Sequence, residues 1–184
     1  MKTSNRSNYK GRGSTKPVKL MKYLEKTKVD ELLDRARSNK RDFLLLNTIW
    51  KTGIRNEELT LLEKRDIKED RIIIRQGKGK KQRWVPLDKS LGDLLSYHTA
   101  DMTLTDKLFP LSTVSVRNIT HKYQGEEIVT PHTLRHSYAV HCLKSGMNIR
   151  SLQKILGHKN LETTAIYLDL IGKDIMEDFR KVVF

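Results

Sequence analysis

The sequence predicts a mainly helical α+β domain with one small antiparallel β-sheet on its edge. Three observations lead there. Apolar residues recur at helical spacing through most of residues 27–184. One pair of short β-rich runs, 71–76 and 82–87, is separated by the glycine-bearing GKGKK of residues 77–81. Gly53, Gly146 and Gly157 each close a helical pattern, where a left-handed cap favours glycine.

The 184 residues suit one compact domain with a real core. Lys and Arg number 36 against 22 Asp and Glu, a net charge of +14 that calls for a polyanionic partner, nucleic acid first. An anionic membrane surface fits less well, because no basic amphipathic helix carries Trp or Phe on its apolar side. No apolar run approaches a bilayer span, and the N-terminus lacks the apolar segment of a signal peptide. The single cysteine, Cys142, excludes an intrachain disulfide and a CxxC metal site, and reads as a small buried hydrophobe. A cytoplasmic protein is expected.

Residues 1–18 hold almost no apolar side chain, no acid, and scattered Lys, Arg, Ser, Asn and Gly. That is the composition of a disordered basic tail, either an arm along DNA phosphates or a solubilising extension. Thr27 and Asp30 resemble a capping box ahead of Val29, Leu32, Leu33 and Ala36, a first helix. After Ser38 and Asn39, the residues Phe43, Leu44, Leu45, Ile49 and Trp50 make a second, more buried one that stops at Gly53. Asn56, Glu57 and Glu58 look like the cap and acidic first turn of a third helix with Leu59 and Leu62, placing Arg55 at a helix entrance. The β-rich runs then form a hairpin with Lys78, Lys80 and Lys81 at its tip. GKGKK does not satisfy the P-loop pattern.

Residues 90–97 and 115–123 read as helices, and Leu108, Phe109 and Pro110 as an extended piece. Thr130 is the expected N-cap of the next helix with Pro131 at its first position, so His132 lies in a first turn that favours anions. Leu134, Tyr138, Cys142 and Ser145 form one side of it. Asn148 opens a further helix with Ile149, Leu152, Ile155 and Leu156 buried, and Asn160 caps a segment that carries Tyr167. Residues 170–184 form an amphipathic C-terminal helix that covers its own core or docks on a neighbouring protomer.

The polar residues suit phosphodiester chemistry. Two arginines, Arg55 and Arg135, offer planar guanidinium groups for the non-bridging oxygens, where charge grows in the transition state. Tyr167 is a candidate nucleophile, although a free phenol with pKa of about 10 needs nearby cations or a base. His132 or His158 supplies either. A hairpin lysine is a candidate proton donor to the leaving oxygen. His98 and His121 read as surface residues, and His136 and His141 as satisfied or exposed ones. A helix-turn-helix reading of residues 151–168 accounts for the charge, but for neither HTLRH nor Arg55.

Four stretches carry a family resemblance: TGIRNEEL (52–59), GKGKKQRWVPL (77–87), TPHTLRHSYAVHCL (130–143) and LGHKNLETTAIY (156–167). Together they resemble the catalytic-domain motifs of the tyrosine recombinases, the phage-type integrases and chromosome-dimer resolvases. Arg55 to Lys78 and Arg135 to His158 each span 23 residues, and the match runs from about residue 19 to the C-terminus. The resemblance implies the tyrosine recombinase (DNA breaking-rejoining enzyme) catalytic fold, shared with type IB topoisomerases. It implies site-specific DNA cleavage and rejoining through a covalent 3′-phosphotyrosine, for a mobile element or an inversion switch, with neither metal nor other cofactor. Arg55 and Arg135 then clamp the scissile phosphate, and Lys78 protonates the 5′ oxygen. His132 assists proton transfer at the nucleophile Tyr167, His158 hydrogen-bonds the phosphate, and Glu57 or Glu58 orders Arg55.

The implied DNA contacts are Arg55, Lys78, Lys80, Lys81, Arg135 and Lys159. The implied partners are double-stranded DNA and further copies of the chain, a tetramer assembled through the C-terminal helix. Residues 1–18 are expected as the tail and 19–184 as the catalytic domain. The expectation is a minimal form without the family's N-terminal core-binding domain, either natural or trimmed, with DNA affinity reduced and strongly salt-dependent. The alternatives are a non-catalytic DNA-binding regulator and a type IB topoisomerase-like relaxing enzyme.

Overall fold

The computed structural model describes residues 22–75, 82–158 and 162–171. The tail at 1–18, the hairpin tip with Lys78, Lys80 and Lys81, Lys159, the Asn160 cap and the C-terminal helix beyond residue 171 lie outside the described residues.

Helix α1 (Lys26–Ala36) buries Val29, Leu32, Leu33 and Ala36, one face at helical spacing. It begins at Glu25 and not at Thr27, because the Glu25 carbonyl already accepts the Lys28 and Val29 N–H groups. Helix α2 (Lys40–Thr52) is buried on nearly all sides, with the Asn39 side chain capping the Asp42 N–H at 3.0 Å. It ends at Gly53, whose φ of 61° lies in the left-handed region and whose missing side chain lets the Tyr138 ring approach. Buried Asp42 accepts from the neighbouring Arg41 at 2.7 Å and from the Tyr123 hydroxyl at 2.9 Å, the second of which fastens α2 to the fifth helix.

The third helix is a single turn, α3 (Asn56–Leu59). Its N-cap position is Arg55, not Asn56, and the Glu58 carboxylate reaches back to the Arg55 N–H at 2.9 Å. Asn56 instead donates through its amide to the Thr113 carbonyl. Leu62 is buried but outside the helix, because its carbonyl accepts the Leu108 N–H at 2.9 Å and Glu63 bridges to Lys107. The strands β1 (Arg71–Ile74) and β2 (Arg83–Pro86) pair antiparallel, Arg71 opposite Pro86 and Ile74 opposite Arg83. Ile72, Ile74 and Val85 face the core, while Trp84 faces solvent under the Arg71 guanidinium.

Helices α4 (Lys89–His98) and α5 (Thr113–Tyr123) are capped by Asp88 and Ser112. Helix α6 (Pro131–Lys144) starts at Thr130, which exchanges bonds with Thr133, and packs against α1, α2 and α5. It also meets α7 (Ile149–Leu156) and α8 (Glu162–Ile171), so little of it faces solvent. Cys142 is half-buried at the core's margin. Each large apolar side chain sealed around α2 and α6 contributes about 1.5–3 kcal/mol relative to exposure. The central pair is therefore a rigid platform for the polar residues at its ends. No helix among the described residues is long and apolar enough to cross a membrane.

Candidate active site

Three consecutive carbonyls at the end of α7 each accept a hydrogen bond from a different arginine. Ile155 takes Arg83 Nε at 2.9 Å, Leu156 takes Arg135 Nη2 at 2.7 Å, and Gly157 takes Arg55 Nη2 at 2.8 Å. A helix end leaves its last carbonyls unpaired and carries the negative end of the helix dipole, so it suits cations. The turn depends on Gly157, whose φ is 64° and against which the Arg83 side chain lies.

Arg135 is buried, 2% exposed, and its Nη1 also donates to the Gly53 carbonyl at the end of α2. Burial, with the nearby Arg55 charge, lowers its pKa to about 10, which leaves it a cation at neutral pH. Arg55 sits at the α3 entrance and donates from Nη1 to Glu58 Oε1 at 3.0 Å. The same carboxylate takes two bonds from Arg83, at 2.5 and 2.7 Å. Burial alone raises the Glu58 pKa, but the bonds and charges of Arg83 and Arg55 outweigh it and hold the carboxyl at about 2.

Arg135 Nη2 also lies 3.1 Å from His158 Nε2. An arginine only donates, so Nε2 accepts and the ring proton sits on Nδ1, which donates to Thr164 Oγ1 on α8 at 2.9 Å. Burial, then the charges of Arg135 and Arg55, depress the His158 pKa to about 4. Tyr167 is 1% exposed, and its hydroxyl lies 2.7 Å from His136 Nδ1. Its ring stacks beside His158, with centroids 6.4 Å apart. Burial raises the phenol pKa to about 12 against the pull of Arg135 and Arg55, so Tyr167 is protonated at rest.

His132 is exposed in the first turn of α6, its ring edge-on to that of His136 at 4.1 Å. Lost hydration and the Arg135 charge lower its pKa. An open cleft of about 590 Å³ is walled in part by Arg55, Arg117, His121, His132 and Arg135. Among the described residues, the buried His121 Nε2 and Asn56 Oδ1 find no hydrogen-bond partner. Tyr167 is not among the residues lining this cleft. Among the described residues, no group of His, Cys, Asp or Glu side chains is arranged to hold a metal ion.

The structure thus brings together Arg55, His132, Arg135, His158 and Tyr167 from α3, α6, the α7 end and α8. Sequence reasoning missed Arg117 in the cleft wall and three further contributors. His136, read as turned elsewhere, holds the Tyr167 hydroxyl; its place four residues after His132 was the available signal. Arg83 gave no signal, since an arginine in a short strand is ordinary. His121, read as a surface residue, lines the cleft.

Residues 22–172 match the model of the phage integrase family. The tyrosine recombinase of Pseudothermotoga lettingae is 32% identical over 173 residues, covering 88% of this chain and 60% of that protein. The tyrosine recombinase XerA of Thermococcus kodakarensis is 37% identical over 171 residues, covering 83% of this chain and 61% of that protein. The crystal structure of XerA recombinase matches with a TM-score of 0.73 at 28% identity, covering 88% of this chain and 66% of that one. The chain spans about three fifths of the length of these curated relatives.

Proposed function

Because the chain belongs to the phage integrase family, the tyrosine recombinases, we propose that it is a site-specific DNA recombinase. It cleaves and rejoins strands through a covalent 3′-phosphotyrosine, without a metal. The observation that carries this reading is the anchoring of Arg55 and Arg135 on adjacent carbonyls, with Tyr167 stacked beside the His158 ring that Arg135 meets. Two fixed cations facing one cleft suit the non-bridging oxygens of a single phosphate, and fixed donors stabilise the transition state with little reorganisation.

In this reading Arg55 and Arg135 clamp the phosphate and Tyr167 attacks phosphorus, expelling the 5′ oxygen. His132 assists proton transfer at the nucleophile. His158 hydrogen-bonds the phosphate once its Nε2, which accepts from Arg135 at rest, carries a proton and can donate. Lys78, outside the described residues, protonates the 5′ oxygen, and Lys80, Lys81 and Lys159 contact neighbouring phosphates. The phosphotyrosine conserves the energy of the broken bond, so a 5′ hydroxyl from another strand reverses the step. Residues 1–18 act as a basic tail and 19–184 as the catalytic domain, on double-stranded DNA, in the cytoplasm. The +14 charge supports a DNA partner. Assembly as a tetramer through the C-terminal helix completes the proposal.

The test is a library of nicked duplexes of random sequence incubated with the protein, with DNA recovered from denaturant-resistant complexes. A recombinase yields an enriched sequence joined to Tyr167, and two copies of it on a plasmid recombine. Relaxation without recombination identifies a topoisomerase. No adduct with any sequence refutes the reading.

A further inference from the structure

The hydroxyl of Tyr167 is held inside the protein. It is 1% exposed, does not reach the cleft walled by Arg55 and Arg135, and has His136 Nδ1 2.7 Å away. His136 is itself 9% exposed and lies in the middle of α6, fixed by the platform that α2 and α6 form. We propose that His136 is a positioning residue that withholds the Tyr167 hydroxyl from the phosphate cleft; this rests on Tyr167 being the nucleophile.

The direction of the hydrogen bond follows from its surroundings. His132, Arg135 and His158 oppose a positive charge on His136, while Arg135 and Arg55 pull on the phenol. Burial and these neighbours keep His136 neutral, with a pKa near 3, and burial keeps the phenol protonated, near 12. Tyr167 therefore donates its O–H to Nδ1. A protonated, bonded phenol is a poor nucleophile, because its lone pairs are not aimed at the cleft and its proton is not yet removed. A second tie holds the same helix: His158 Nδ1 donates to Thr164, three residues before Tyr167. His136 is thus placed to hold the oxygen, while His132 at the mouth is the imidazole that solvent reaches.

The geometry names the variants. An Asn side chain puts an amide oxygen near the position of Nδ1, and so keeps the acceptor but cannot take a proton. A Leu removes the acceptor at similar bulk, and a Gln moves it to the Nε2 position while keeping a polar group, in case Leu does not fold. The first readout needs no DNA: nitration of Tyr167 in the full chain by tetranitromethane, mapped by mass spectrometry against the other tyrosines. Nitration should be slow in the wild type and in His136→Asn. It should be about tenfold faster in His136→Leu or His136→Gln, the factor expected for losing one neutral hydrogen bond.

The second readout is single-turnover adduct formation on a nicked duplex. Adduct should form up to about tenfold faster in His136→Leu or His136→Gln, with His136→Asn restoring the wild-type rate. If nitration is unchanged in both Leu and Gln variants, the inference is overturned. Adduct formation that falls a hundredfold in all three makes His136 the proton acceptor and overturns it too. Absence of adduct in the wild type refutes the recombinase reading, while the nitration arm still decides whether His136 withholds the hydroxyl.

Discussion

Arg55 and Arg135 are fastened to adjacent carbonyls, Gly157 at 2.8 Å and Leu156 at 2.7 Å. The α7 end thereby sets the distance between two like charges that would otherwise separate. The two anchors differ in depth: Arg135 is 2% exposed, whereas the Arg55 side chain is 34% exposed and rests partly on Glu58.

That difference predicts separable variants. Arg135→Ala leaves the Gly53 and Leu156 carbonyls unpaired in the interior, at about 1–3 kcal/mol each. The melting temperature should fall by roughly 6 °C or more. Arg55→Ala should change it much less, while cleavage drops by about two to three orders of magnitude in either variant. Thermal melts beside adduct yields check this. An equally large drop in melting temperature for Arg55→Ala would contradict the assigned depths.

Glu58 is the only carboxylate shared by Arg55 and Arg83 among the described residues, and its side chain is 12% exposed. Glu58→Gln keeps the shape but leaves Arg83, 10% exposed, without a counter-charge, a loss of roughly 3–5 kcal/mol. Burial shields the pair from salt. Melts of the wild type at low and high salt should differ far less than wild type and variant do.

The histidine shifts predict acid lability. His136 and His158 have folded pKa values of about 3 and 4, below the ordinary 6.5. Protons therefore bind the unfolded chain first. The stability these groups contribute is full above pH 6.5 and is lost as pH falls towards 4 and then 3. Glu58, held near 2, adds loss in the same direction below about 4.5. Melting temperature should be nearly flat from pH 7 to 8 and decline below 6.5, more shallowly in His136→Asn. A rise in stability on acidification from pH 6.5 to 4 would show that the histidines are not held neutral.

Lys78 is testable by leaving-group chemistry. Lys78→Ala should lose cleavage on ordinary DNA and recover it on DNA whose 5′-bridging oxygen is sulfur, because a thiolate leaves without a proton. Undiminished cleavage of ordinary DNA by Lys78→Ala shifts the donor role to Lys80 or Lys81. Lost cleavage without recovery on the sulfur substrate shows that Lys78 does not act as the proton donor.

Much of the fold was legible where local chemistry acts alone. Glycine stops at Gly53 and Gly157 and the Thr130 cap with Pro131 are short-range effects, and they appear where sequence pattern placed them. The third helix is present but stops short of Leu62, because Leu62 is recruited by the Leu108 backbone, a partner far along the chain. The capping reading of Asn56 failed, since Arg55 and Glu58 take that end for the site.

By itself the sequence determined the helical α+β class, the element order and five polar residues suited to phosphate chemistry, because periodicity, caps and side-chain types are local properties. Tertiary structure decided which of them share a cation-binding turn, that Arg83 braces Glu58, and that Tyr167 rests on His136. Those facts depend on carbonyls and rings from segments distant in the chain meeting in a buried site, where each unpaired polar group is costly. Burial also set the protonation of the site, holding the phenol neutral beside two arginines, which no spacing of residues along the chain encodes.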